Sequence, residues 1–457
     1  MDHNRVPRWL RAVPDDGGGS ARKRARPSDG VDVRLPAGKR RRIGFPEPAA
    51  AQEDQTPRPR RPFRRAAAER SVSPANLPSS IPSHVSSSNT SSEASGSDAS
   101  AGNKRQKMQL GPDPVMVEPF GGLATRARLL PKALNALLLD FDLARYGGLP
   151  FISHSRRDEI RRSRLAGRSI HDHHFMPDDG GGAGQPQAES PSLEDVTRIV
   201  QTAHEYTALG YNEHAWKSGV HFPLLRLAIP DQNSLLKIVQ CTTERISSKQ
   251  FLPEGMPNDE MVDFCLAIDP HWPLGRTSPT PASKAVDELR LSQPGNSISH
   301  TTYQPLARYP IALSITTKLP QGSSEDAEAQ LGVWQTAQWR MLEAMVVCSQ
   351  GSDAGHAARP AAAGPSARLG ELGFLPGIYT VGNLWRFAAT TRDQQSGRTT
   401  LWTESDFGST TNVLGVYRII WGLRRLEKFL TEIYWPWFQK CVLGMEESDA
   451  EEASRSH

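Results

Sequence analysis

Two charged side chains occupy stretches that are otherwise apolar, and their types point to chemistry on a phosphate ester. The first is Asp263, inside Met261-Val262-Asp263-Phe264-Cys265-Leu266-Ala267-Ile268. An ionised carboxylate in such a strand is costly unless it is paired or bound to a metal. The second is Lys318, which closes the alternating stretch Pro310-Ile311-Ala312-Leu313-Ser314-Ile315-Thr316-Thr317-Lys318. Alternate side chains of a strand share a face, so Ser314, Thr316 and Lys318 point one way and Ile311, Leu313 and Ile315 the other. An aspartate and a lysine meeting at adjacent strand ends suit metal-assisted phosphodiester hydrolysis. The carboxylate holds a hard divalent cation that lowers the pKa of bound water, and the amine orients that water or stabilises developing charge. A second carboxylate on the lysine's own face would strengthen such a site, and two residues before the lysine the chain has Thr316. The plain alternatives are an aspartate that reaches solvent at a strand end and a lysine that snorkels from one.

The elements that must position these side chains are legible from spacing. Ser192 and Asp195 form an S-x-x-D capping pattern before Val196, Ile199, Val200 and His204, which predicts a helix. Residues 213–228 read as a second helical segment in two parts, divided by Pro223. Strands are expected at Met261–Ile268 and Pro310–Lys318, with loop-like residues 270–297 between them. Ser324–Val347 shows helical spacing through Leu331, Trp334 and Leu342. Short strands follow near 377–381, 385–390 and 399–403, then a long amphipathic helix from about Asn412, with Pro436 as its stop. Helices and strands in this order predict an α/β (α+β) fold, a central sheet flanked by helices.

Composition divides the 457-residue chain. Residues 1–110 carry 21 Lys/Arg against 11 Asp/Glu, and the remainder 33 against 39. The first 110 residues are rich in Pro, Gly, Ser and Arg, too polar to bury a core, and read as a disordered basic arm. Clusters at 22–26 and 39–42 fit nuclear import or loose phosphate binding, against the plain reading of a solvated tail. Residues 111–190 read as a helix at 129–143 plus a flexible linker, in which His171-Asp172-His173-His174 is a surface cluster rather than a metal site. The folded domain is placed at 191–445 and an acidic, polar disordered tail at 446–457. Four scattered cysteines, no apolar leader and no long apolar run fit an intracellular protein without a membrane span. No glycine-rich phosphate loop follows a strand, and no Ser-His-Asp or Cys-His context is present.

Blocks in order along residues 193–443 resemble the PD-(D/E)XK nuclease-like domain common in proteins of filamentous fungi. They include Asn212-Glu213-His214-Ala215-Trp216, Met261-Val262-Asp263-Phe264, Arg308-Tyr309-Pro310-Ile311 through Lys318, and Ala329-Gln330-Leu331-Gly332-Val333-Trp334. Phe374-Leu375-Pro376-Gly377 and Tyr434-Trp435-Pro436-Trp437-Phe438 continue the series. The resemblance implies a restriction-endonuclease-like core, a mixed central sheet between helices. It implies that Asp263 is the motif aspartate, Lys318 the motif lysine, Glu213 an additional acidic residue on the preceding helix and Gln330 a polar helper. By the same resemblance Asp263 and Glu213 would hold Mg²⁺ or Mn²⁺, and the partner would be nucleic acid, DNA favoured. Thr316 stands where the family has glutamate, which leaves two functions open. One is a metal-dependent nuclease using Asp263, Glu213 and Lys318. The other is a degenerate nuclease fold serving as a nucleic-acid-binding or protein-interaction module.

Overall fold

The computed structural model describes residues 97–178, 189–230, 234–256, 260–272, 279–352 and 364–445, apart from positions 165, 243 and 248. The reading of residues 1–96 as a basic arm with import-like clusters, and of 446–457 as a tail, lies outside the described residues.

Seven strands form one sheet: β1 (Met116–Pro119), β2 (Leu236–Gln240), β3 (Phe264–Ile268), β4 (Ile311–Lys318), β5 (Leu375–Val381), β6 (Leu384–Arg392) and β7 (Thr399–Ser409). Their spatial order is β1-β7-β6-β5-β4-β3-β2. The β4–β5 and β1–β7 pairs are parallel and the others antiparallel. Fourteen α-helical segments flank it among the described residues. The first five are α1 (Ser97–Leu110), α2 (Leu123–Leu129), α3 (Lys132–Tyr146), α4 (Arg157–Arg162) and α5 (Ala166–Ser169). Next come α6 (Leu193–Leu209), α7 (Glu213–Trp216), α8 (Phe222–Ala228), α9 (Pro281–Ser292) and α10 (Gln304–Ala307). The last are α11 (Ser324–Ser352), α12 (Pro365–Leu372), α13 (Val413–Phe429) and α14 (Trp435–Cys441). Helix α11 packs across β4 and β5 with α1 and α12 beside it; α13 covers the other side with α3, α6 and α8. The mixed sheet between two helical layers is the expected fold class, and no described helix is long and apolar enough to cross a membrane.

Strand β4 shows why the sheet is central. Its alternation survives as two faces, but helices cover both, so every residue from Ile311 to Thr317 is buried and only Lys318 is half-exposed. Ile315 pairs with Phe264, whose ring stacks on Phe222 of α8 at 6.4 Å, so this face looks toward α8. Thr316 donates its hydroxyl to the Ala327 carbonyl of α11 at 3.4 Å, so the opposite face looks toward α11.

The caps form as their residue types require. Ser192 accepts from the Asp195 amide, Asn212 from the Ala215 amide, and Gly210 closes α6 in the left-handed conformation at φ 65°. The segment 213–228 is divided next to Pro223 as expected, whereas Pro436 does not stop its helix, and the two prolines share one arrangement. Pro223 and Pro436 each lie in the first turn of a helix that follows a π-turn, Lys217–His221 and Leu430–Tyr434 respectively. A proline ring clashes with the carbonyl four residues back, and a widened turn makes room for it, so the chain continues as α8 and α14. Pro436 therefore redirects a helix that runs on to Cys441.

Three regions carry more structure than local pattern suggests. Residues 281–292 are helix α9, with Thr280 as its cap. Strand β2 pairs with β3 at the sheet edge. Within 111–190, Phe141, Phe151, Ile152, Ile160, Ile170 and Phe175 join the core. There the histidine cluster is partly internal: His174 is buried and its Nδ1 accepts from the His171 amide at 3.0 Å, while His171 and His173 remain exposed.

Candidate active site

The site lies at the sheet end where β4 finishes and β3 begins. Asp263 is the last residue before β3, and the sheet fills its backbone groups. Its amide donates to the Ile315 carbonyl at 2.9 Å, and its carbonyl accepts from the Cys241 amide at 3.0 Å. Its side chain stands where the ladder would continue. Oδ2 accepts from the Thr317 amide at 2.6 Å and the Thr317 hydroxyl at 3.0 Å, and Oδ1 meets the Lys217 ammonium at 2.6 Å.

Lys217 is the residue that sequence reasoning missed. It opens the π-turn between α7 and α8, one turn after Glu213, and its amine bridges the Glu213 and Asp263 carboxylates. The available signal was the four-residue spacing of Glu213 and Lys217 on a helix, a pattern too common on solvated surfaces to single out. Burial works against the Lys217 ammonium, but the charges and hydrogen bonds of Asp263 and Glu213 outweigh it and hold its pKa above the ordinary lysine value. Burial also pushes the Asp263 carboxyl above the usual aspartate range, and Lys217 offsets only part of that. Glu213 lies at the mouth, half-exposed. His221, four residues after Lys217, is fully buried; burial first, and the Lys217 charge second, push it down to about 3. Its neutral ring packs between Trp216 and Trp385 at centroid distances of 5.9 and 5.6 Å.

The structure brings Glu213 and Asp263 together, with Lys217 between them. It gives Lys318 a different partner. The Lys318 ammonium pairs with Asp326 at the start of α11, 2.9 Å away, and Asp326 lies 3.7 Å from Lys104 of α1, which also reaches the buried Glu260 at 3.3 Å. Thr316 shares this α11 side, fully buried, and Gln330 is half-buried one turn beyond Asp326 on the same helix. Asp263 and Lys318 are thus neighbours at one sheet end whose charged atoms are engaged in opposite layers. The reason is the strand period: Thr317, not Thr316 or Lys318, shares the face toward α8.

A divalent cation is what this arrangement of fold and carboxylates implies, and the residues present do not fit one. Magnesium requires an oxygen shell of near-octahedral geometry. Asp263 Oδ2 is committed to two donors, while Oδ1 and Glu213 both face an ammonium. Thr316, the third position, directs its hydroxyl into the helix behind the strand. Among the described residues no group of three or more His, Cys, Asp or Glu side chains is arranged to hold a metal.

A family model described as the PD-(D/E)XK nuclease superfamily matches residues 160–435, more than half of the chain, and the chain belongs to that superfamily. No curated protein and no solved structure matches it. Proteins of this superfamily generally use divalent metals; in this chain the Lys217 ammonium lies between the two carboxylates.

Proposed function

We propose that this protein binds nucleic acid on a nuclease fold without metal-dependent hydrolysis. The observation that carries the reading is the Lys217 ammonium, seated between the Glu213 and Asp263 carboxylates. A resident lysine supplies one positive charge where a divalent ion would bring two, and it lowers the pKa of no water. Thr316 supports the same reading, since a neutral hydroxyl turned toward α11 adds neither charge nor a ligand to the cradle. Affinity would come from the basic clusters of residues 22–26 and 39–42 acting on phosphates, with DNA the favoured partner.

The test uses the full chain with end-labelled single- and double-stranded DNA and RNA, with Mg²⁺ or Mn²⁺ present. The expected result is binding that weakens as salt rises, with no cleavage. The second reading, hydrolysis with Asp263 and Glu213 as the acidic pair and Lys318 as the lysine, is favoured by the convergence of those two carboxylates on one cation. Divalent-dependent cutting that disappears in Asp263→Asn would establish it and overturn the binding-only reading. Absence of both cutting and binding at low salt would defeat both.

A further inference from the structure

Beside Asp263 the sheet brings two free cysteines into contact. The sulfurs of Cys241 and Cys265 are 3.6 Å apart, and both side chains are buried. Strand register places them there. Val239 pairs with Cys265, and the Cys241 amide continues the ladder to the Asp263 carbonyl at 3.0 Å. The two thiols therefore share one face of the β2–β3 pair at diagonal positions, with Asp263 directly opposite one and two residues before the other. Strand β2 is the terminal strand of the sheet and only five residues long, so it can open without disturbing the strands beyond β3.

We propose that Cys241 and Cys265 form a reversible intrachain disulfide, a modification site that staples β2 to β3 alongside Asp263. The reaction is thiol–disulfide exchange with a small disulfide such as oxidised glutathione. One cysteine thiolate attacks a sulfur of that disulfide, forming a mixed disulfide and releasing one small thiol. The second cysteine thiolate attacks the protein sulfur, forming the Cys241–Cys265 bond and releasing the other. Two protein thiols are oxidised, one disulfide is reduced to two thiols, and the protons pass to solvent and the released thiolates. The sulfurs must close from 3.6 Å to a bond of about 2.05 Å, and because diagonal positions hold the two backbones far apart for a disulfide, the short edge strand shifts toward β3 as the bond forms. In the reduced form the Cys265 sulfur and burial hold the Cys241 thiol well above its ordinary range. Reaction is thus confined to the opened edge and accelerates with rising pH. This site stands whether the neighbouring carboxylates cut nucleic acid or only bind it.

The full-length chain is equilibrated with graded ratios of oxidised to reduced glutathione, quenched in acid, denatured, alkylated and weighed. The expected product has lost two hydrogens, its alkylatable thiols fall from four to two, and peptide mapping joins Cys241 to Cys265. The reduced and oxidised forms should interconvert on changing the ratio, the oxidised one melting several degrees higher. Four alkylatable thiols at every ratio, a stable glutathione adduct in place of the cross-link, or a bond to Cys348 or Cys441 would each overturn the proposal. The primary readout needs no variant. Cys241→Ser is expected to abolish the product, and the Cys348→Ser/Cys441→Ser double variant to retain it.

Discussion

Replacing Lys217 by methionine keeps most of the unbranched side chain and removes its charge. Asp263 is 8 % exposed and would be left as a buried carboxylate without its cation. Breaking one partner out of a buried pair costs about 3–5 kcal/mol. The two hydrogen bonds from Thr317 remain and hold the loss near the lower end, about 3 kcal/mol. Glu213 is half-exposed, and its share as a helical i,i+4 pair is only about 0.3–0.5 kcal/mol. Without Lys217 the Asp263 carboxyl loses the largest of the interactions that lower its pKa, keeping only the Thr317 hydrogen bond against burial. A group whose folded pKa lies above its unfolded value stabilises the fold when protonated, so the deficit of the variant is full at neutral pH and shrinks as the medium is acidified. The assay is urea denaturation of wild type, Lys217→Met, Asp263→Asn and the double variant at pH 7 and pH 5. A coupling energy of about 2–3 kcal/mol at pH 7 is expected, smaller at pH 5. A loss below about 0.5 kcal/mol for Lys217→Met, or an additive cycle, would refute the placement of the lysine between the carboxylates.

Further expectations follow from the same geometry. Thr316→Glu buries a carboxylate against α11, so it should destabilise by about 2–4 kcal/mol and produce no divalent-dependent cleavage; a labelled-DNA assay that shows cutting would contradict this. Lys318→Ala removes a half-buried pair with Asp326, so denaturation should report about 1 kcal/mol of loss, with nucleic-acid affinity unchanged; a change above about 3 kcal/mol would give Lys318 a larger role. His221 and His300 are buried and pushed down to about 3, so their contribution to stability is present above the unfolded histidine pKa and is lost as pH falls below it. Between pH 6 and pH 4 each should steepen the acid loss by on the order of 1 kcal/mol per pH unit relative to its glutamine variant; parallel denaturation profiles would exclude this.

Much of the molecule was legible in local pattern. The alternation of β4, the cap at Ser192, the spacing of α11 and the inner face of α13 each follow from burial on one periodic face, which short-range sequence records directly. Asp263 stood out because a carboxylate is expensive in an apolar strand, and the structure accounts for it with three polar contacts. Strand β2 was not legible, because Lys237 and Gln240 dilute its apolar signal and its identity depends on pairing with β3.

The chain's local chemistry alone determined the element types at its centre, the split between a basic arm and a mildly acidic remainder, and the absence of a glutamate two residues before Lys318. Tertiary structure alone decided which charges meet. Lys217 reaches Asp263 across 46 positions because a π-turn ahead of Pro223 aims it at the end of β3. Lys318 turns to Asp326 because its strand position faces α11. Side-chain periodicity is a local property that sequence records; the layer each face meets depends on how distant helices close over the sheet.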